Sequence, residues 1–537
     1  MASIASIESV DLPTTPYYQD QIYEPSGMFG SFFHRVRTQW IHTIGWFGRA
    51  FGSQDSFDPH QPSIVRDAFN LRKMLIIVTN SGKILGVDSW NGDIIWSLFV
   101  REMAPLNGGK LLIYQQRTVA HFPQPPQCVV IGKHKHSGDG LLVVVNPITG
   151  ELLGGSYGAG IINLGFKLHQ ALIIQYMDQF YLKPVVLIDS NQNVKVFPSS
   201  GEAVVLEHGK QLYVHLAHHD SSILKGYSFA YSKPGALLLT EVWRITLGGG
   251  PITGVYGKES NELVHSPGRV LADRSVLYKY VNPNLVVVTT QGYDHINKNT
   301  LTVHLVDTVT GTVIESVSHK RVSGPVHIVH SENWVVYTCF NEKYRRSEVT
   351  SLELFEGLTQ ANSTAFSSFS VRATPPILEK QAFIIPQGVQ AASHTTTEKG
   401  ITTKFLLFAL QSGNILQLSK YFLDPRRPVS ASAPREEGLI PYMPELPLPP
   451  QEMINYNNTL PRVNAIFTAT TGLESTCLVL VYGLDVFYTR VFPSKMFDML
   501  KDDFDHYLIV GALLALLTGA LVARRMAQRK ALNQAWK

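Results

Sequence analysis

A chain of 537 residues, 45% hydrophobic and 16% charged, can bury a large core and is too apolar for a disordered protein. A net charge of +4 is too small at this length to imply nucleic-acid binding. Three cysteines, Cys128, Cys339 and Cys477, exclude a disulfide framework and allow one bridge at most.

Residues 1–24 lack the basic, apolar and small-residue succession of a signal peptide and read as a linker or disordered segment. Residues 25–54 contain no acid. Within them Phe29, Phe32, Phe33, Val36, Trp40, Ile44, Phe47 and Phe51 recur at three- or four-residue spacing, on one face of a helix. His34, Arg35, Arg37 and Arg49 supply basic charge on the remainder. Aromatic bulk with basic flanks predicts an amphipathic helix lying in a membrane interface. A helix packed on a soluble core is the competing reading, and Gly45 and Gly48 weaken intrinsic helicity under either.

Residues 65–495 read as strands. The run from Met74 to Asp88 is two apolar strands around Asn80-Ser81-Gly82, and Asn91-Gly92 turns the chain again before Ile94-Ile95-Trp96. The same grammar recurs at 141–152, 185–197, 303–314 and 405–418. Turns some 40 to 60 residues apart predict four-stranded blades repeated about an axis, a β-propeller rather than a sandwich. Between Pro425 and Pro450 eight prolines interrupt the strands. That stretch is an extended excursion, either wrapped on an outer surface or left as a loop. Asn362 and Asn457 each begin a glycosylation sequon.

From Tyr507 to Ala523 the chain carries no charge, which predicts one membrane-spanning helix. Lys495, Asp502, Asp503 and Asp505 precede it, and Arg524, Arg525, Arg529 and Lys530 follow. Basic residues mark the cytosolic side, so the body is expected to be lumenal, with residues 524–537 as a basic cytosolic tail. Gly511, Ala515, Gly519 and Ala523 recur every four residues. The stripe is either an ordinary feature of an Ala/Leu-rich span or a face on which a second helix packs. Charge so close to hydrocarbon calls for partners, which nominates Lys495, Asp502, Asp503, Asp505, Arg524 and Arg525 as contacts to neighbouring subunits or lipid.

The histidines cluster at His134 and His136, at His215, His218 and His219, and at His327 and His330, but none has the spacing or ligand number of a zinc site. No phosphate loop, nucleophile elbow or dinucleotide fingerprint is present. No cofactor and no catalysis are expected. The glycine, aspartate and Trp96 of the first turn resemble the repeat of quinoprotein dehydrogenases, a likeness of blade packing that carries no cofactor site.

Longer segments resemble one family. Val276–Asn284, Gly324–Trp334, Asp424–Pro428 and Gly472–Cys477 look like those of ER membrane protein complex subunit 1, as do Tyr482–Asp485, Pro493–Lys495, Leu500–Asp503 and Ala535-Trp536. The resemblance runs from the amphipathic segment onward and matches the C-terminal half of that family. The family's signal peptide and further blades are missing here. The chain is therefore expected to be a fragment whose PQQ-like blades need not form a complete ring.

The resemblance implies a non-catalytic scaffold in the endoplasmic reticulum membrane, single-pass with its large domain lumenal. Its partners would be the other subunits, the lipid bilayer and transmembrane clients, both tail-anchored and multipass, inserted without ATP. A lumenal propeller receptor and a quinone-dependent dehydrogenase are the rival classes.

Overall fold

A strand that is apolar on both sides needs cover from two neighbours, and the body of this chain is built from such strands. All seven residues of Lys73–Thr79 are buried, as are all six of Gly140–Val145. Their apolar runs are therefore continuous rather than alternating. The computed structural model describes residues 4–13, 64–106, 109, 111–121, 124–154, 160–189, 191–219, 221–233, 236–260, 262–360, 366–370, 375–429, 439–494, 498 and 506–536.

The described strands form eight antiparallel sheets in chain order. The first blade joins Ile4–Asp11 to Lys73–Thr79, Lys83–Asp88 and Ile94–Phe99. The fifth joins Ile252–Tyr256 to Leu285–Asp294, Lys298–Asp307 and Val313–Lys320. The sixth is built on Val322–Ser331, Trp334–Asn341, Arg346–Gly357 and Ile377–Ile385. The seventh has Val389–His394, Phe405–Leu410 and Ile415–Ser419, and the eighth Ala465–Thr470, Cys477–Tyr482 and Val486–Val491.

Successive blades share apolar cores. Met74 and Ile76 pack with Val130 and Val143, and Val129 and Leu142 with Val185 and Leu187. Val287 and Val303 meet Tyr337 and Leu352, and Leu407 and Ala409 meet Val479 and Val481. The last core closes the circle: Ile7, Leu75 and Ile77 of the first blade pack on Leu480, Phe467 and Tyr488 of the eighth. The blades present in this chain are a closed ring in their own right, although the sequence left closure open.

Two seams repeat one device. The Trp96 indole lies across Gly86 and donates from Nε1 to Pro147 O at 3.0 Å, against the turn glycine Gly150. Trp243 lies across Gly226, donates to Thr308 O at 3.1 Å and rests on Gly311. Each tryptophan thus pins one blade to the next turn, which is the packing that the quinoprotein likeness implied.

Three expectations are revised. Residues 1–24 are not simply a linker, because Ile4–Asp11 pairs in register with Lys73–Thr79. Its partner lies more than sixty positions away, so no local hairpin signal announces it. The helix expected over 507–523 runs from His506 to Ala535, so the basic tail continues it. A short helix, Glu202–His208, buries Val205 between the third and fourth blades where only strands were expected. The amphipathic segment 25–54 lies outside the described residues.

The cysteines are free and buried in separate blades. Burial pushes Cys339 up to about 12 and Cys477 up to about 11, so both thiols stay protonated.

A Cβ at Gly311, whose φ is +72°, would stand 2.5 Å from the Trp243 ring. Gly311→Ala is expected to destabilise the body by roughly 2–3 kcal/mol through overpacking and left-handed backbone strain. Denaturant unfolding checks this, and an unchanged midpoint contradicts it.

Candidate functional site

In the first blade and in the fifth to eighth, the first two strands are joined at one face of the ring, which we call the first-turn face. The joining loops touch one another there: Gly472 N donates to Phe69 O at 2.8 Å, and Ile401 N donates to Glu474 Oε2 at 3.2 Å. The first blade's joining segment is residues 12–72, and its described ends, 12–13 and 64–72, lie at this face. Arg66 N donates to Pro13 O at 3.0 Å, which holds the two ends of that excursion together. The last strand, Val486–Val491, also runs toward this face.

The fifth blade sends out residues 257–284 on the same face. Its hairpin, Gly268–Val270 with Val276–Lys279, adds to the sixth blade through Tyr278↔Gly357 and Lys279↔Phe355. Charged side chains fasten this excursion. Glu262 pairs with Lys404 of the seventh blade's joining loop and accepts from Glu332 N at 2.9 Å. Lys404 Nζ also donates to Ser331 Oγ at 2.7 Å. Glu332 accepts from Lys279 Nζ at 2.7 Å and from His265 N at 3.2 Å. Lys258 Nζ donates to Asn282 O at 2.9 Å and to Glu332 O. Arg269 pairs with Asp424, and Lys420 pairs with Glu353 while standing 5.5 Å over the Trp334 ring.

Arg269, Lys279, Glu332, Glu353, Lys404, Lys420 and Asp424 line a cleft of about 390 Å³. Its four cations, Arg269, Lys279, Lys404 and Lys420, each meet a carboxylate. A site so neutralised does not bind an anion by charge. It clamps the fifth blade's excursion across the sixth to the seventh. Buried pairs of this kind give little net stability when intact, but they leave an uncompensated charge when broken. Burial alone would raise the Glu262 carboxyl, but Lys404 and three hydrogen bonds override it and hold the group below its usual range. Burial, with Lys258 nearby, lowers His330 to about 3, and burial with Lys404 lowers His394 to about 4. Both imidazoles are therefore neutral at any physiological pH. Among the described residues no three His, Cys, Asp or Glu converge as metal ligands.

The Pro-rich excursion reaches this region. Arg427 donates to Phe422 O at 2.7 Å and to Pro441 O, and Leu446 is buried in the core between the sixth and seventh blades. Its described flanks therefore wrap the ring. Residues 430–438 lie outside the described residues.

The C-terminal helix is a separate unit. Its 30 residues extend about 45 Å at 1.5 Å per residue. Tyr507–Ala535 is the one helix among the described residues long and apolar enough to cross a membrane. Thr518 Oγ donates back to Leu514 O at 2.9 Å, so its hydroxyl needs no outside partner in hydrocarbon. Gly511 and Gly519 have open space where a Cβ would stand, and Ala515 and Ala523 continue their row. Arg524 and Arg525 sit in the following turn, exposed.

Lys495, Asp502, Asp503 and Asp505 lie outside the described residues, as do Asn362 and the aromatic face from Phe29 to Phe51. Asn457 is exposed, in the connection between the seventh and eighth blades. Sequence reasoning missed the clamp because its members are scattered from Lys258 to Asp424 and form no local pattern. Three segments noted for family resemblance do supply Lys279 and Asn282, Ser331, Glu332 and Trp334, and Asp424.

The ring and the apolar helix define the class: a β-propeller body on a chain with one candidate membrane span among the described residues. The family model described as "ER membrane protein complex subunit 1, second beta-propeller" matches residues 70–494. The Gallus gallus ER membrane protein complex subunit 1 is 41% identical over 561 residues, covering 100% of this chain and 55% of that protein. The Saccharomyces cerevisiae subunit is 25% identical over 544 residues, covering 96% of this chain and 68% of that protein. The Myceliophteria thermophila Cps50 (Swd1) beta-propeller domain superposes with a TM-score of 0.30 at 8% identity, covering 79% of this chain and 93% of that one, too weak to argue from. The chain belongs to the ER membrane protein complex subunit 1 family, and it spans about half the length of its vertebrate relatives.

In the first blade, burial and, to a smaller extent, the charge of Glu259 on the clamp's excursion together raise the Glu8 carboxyl to about 7. The folded state therefore keeps a proton that the unfolded state has released, and the stability owed to this group falls as pH rises from about 4.5 to about 7. Glu8→Gln should flatten that fall. Melting profiles from pH 5 to 7.5 test it, and parallel profiles for the two proteins contradict it.

Proposed function

We propose that this chain is a non-catalytic scaffold of the ER membrane protein complex, supporting energy-independent insertion of transmembrane segments into the endoplasmic reticulum membrane. The observation that carries the proposal is the first-turn face of a ring whose sequence belongs to the subunit 1 family. One face bears the 12–72 excursion, the ion-pair clamp and the end of the last strand before the C-terminal helix. A rigid ring so arranged sets the points at which two membrane-directed segments leave it. That is a positioning task, and it uses no reacting group.

On this reading Phe29–Phe51 lies in the bilayer interface, and the helix from Tyr507 crosses as a type I anchor. Gly511, Ala515, Gly519 and Ala523 let a helix of another subunit approach closely. Asp505 and Arg525 meet polar partners on neighbouring subunits or lipid. Transmembrane clients would contact the assembly rather than a pocket of this chain.

Affinity purification of the full chain from membranes in mild detergent tests the assignment. Several membrane subunits should co-purify, and Asp505→Ala with Arg525→Ala should reduce their recovery; a chain that purifies alone contradicts the proposal. Lumenal placement is tested at Asn457. An endoglycosidase-sensitive mobility step that Asn457→Gln removes is expected, and a glycan-free protein contradicts the orientation.

A further inference from the structure

The seam where the eighth blade meets the first carries an exposed aromatic and basic patch on the first-turn face. Trp90, in the turn after Lys83–Asp88, is 64% exposed, and Phe69 is 41% exposed. The Arg490 guanidinium stands 5.7 Å from the centroid of the Trp90 ring, and Arg66 is exposed at the return of the 12–72 excursion.

The backbone beneath these side chains is fixed. Asp88 accepts from Trp90 N at 3.0 Å and from the Arg72 side chain at 2.6 Å. Phe69 O accepts from Gly472 N at 2.8 Å, and Leu71 O accepts from Tyr488 Oη at 3.3 Å. The eighth blade therefore pins the backbone at Phe69, and the first blade's own Asp88 and Arg72 pin it at Trp90. A large indole kept two-thirds in water on a rigid turn is a surface awaiting a partner.

Connectivity selects that partner. Arg490 precedes the last residue of the last strand, and the apolar helix starts at His506. The intervening chain, about fifteen residues, spans at most ~50 Å even when extended. The seam is also where the excursion bearing the aromatic segment returns to the ring. Tryptophan and arginine together are the residue types favoured at the headgroup layer, where the ring takes the apolar boundary and the guanidinium takes phosphate.

We propose that Trp90, Phe69, Arg66 and Arg490 form a third contact of this chain with the bilayer, binding phospholipid headgroups. The inference rests on the membrane-anchored reading above. It adds that the propeller itself docks on lipid at this seam, which fixes the tilt of the ring.

The test uses the full chain in phosphatidylcholine nanodiscs, with and without bromine on the acyl chains. The Trp90 signal is the difference between the natural protein and Trp90→Phe. It should fall about twofold or more in brominated discs, as an interfacial indole does. Arg490→Ala should weaken that quenching. In the Trp90→Phe background, Phe69→Trp should restore a quenchable signal. Equal emission in both discs, with the chain still resistant to alkaline extraction, overturns the lipid contact and leaves the anchor intact. Trp90 shielded only when other subunits are added also overturns it, because the seam is then a protein surface. Loss of the chain on alkaline extraction overturns the anchored reading itself.

Discussion

The structure depends on the need of each sheet for cover on both faces. Strands such as Lys73–Thr79 and Gly140–Val145 have no side that tolerates water, so every blade needs a neighbour on each side. A row of such blades leaves two raw faces, and a ring leaves none. Here the first strand, Ile4–Asp11, completes the first blade, and Ile7 packs with Leu480 of the last. Burying the final pair of faces makes the circle one cooperative object rather than an array of independent repeats.

Closure explains where the polar work is done. Inside the seams the groups are mostly apolar, aliphatic and aromatic, and Trp96 and Trp243 each spend their one N–H on a neighbouring turn. Charge collects instead where loops leave the ring, on the first-turn face. Glu262, Glu332, Glu353 and Asp424 meet Lys404, Lys279, Lys420 and Arg269 across three blades. Buried ions satisfied by each other and by nearby backbone and hydroxyl groups specify position more than they add stability. They tie the fifth blade's excursion down on the face that also carries the 12–72 segment and the seam at Trp90.

Much of this was legible in the chain. Period, turn chemistry and continuous apolar runs identify the blades, because a strand buried on both sides leaves a mark that survives without tertiary knowledge. The apolar helix was equally plain from the charge-free run after Tyr507. Its length was not, because Arg524 to Ala535 has good helix formers but no apolar periodicity. Ile4–Asp11 was hidden for a different reason. An eight-residue strand with modest alternation gains its meaning from a partner beyond residue 70, and loop closure of that length leaves no local trace. The clamp was hidden in the same way, each charge being ordinary until the fold assembles them.

Amide hydrogen exchange across the first strand tests the closed ring most directly, because this strand has no purpose unless the circle is complete. The account predicts that amides of Ile7 to Val10 in the full chain exchange as slowly as those of Leu478 to Val481, and that both open together in mild denaturant. Rapid exchange of the first strand beside a protected eighth blade would show the ring to be open and would contradict the account.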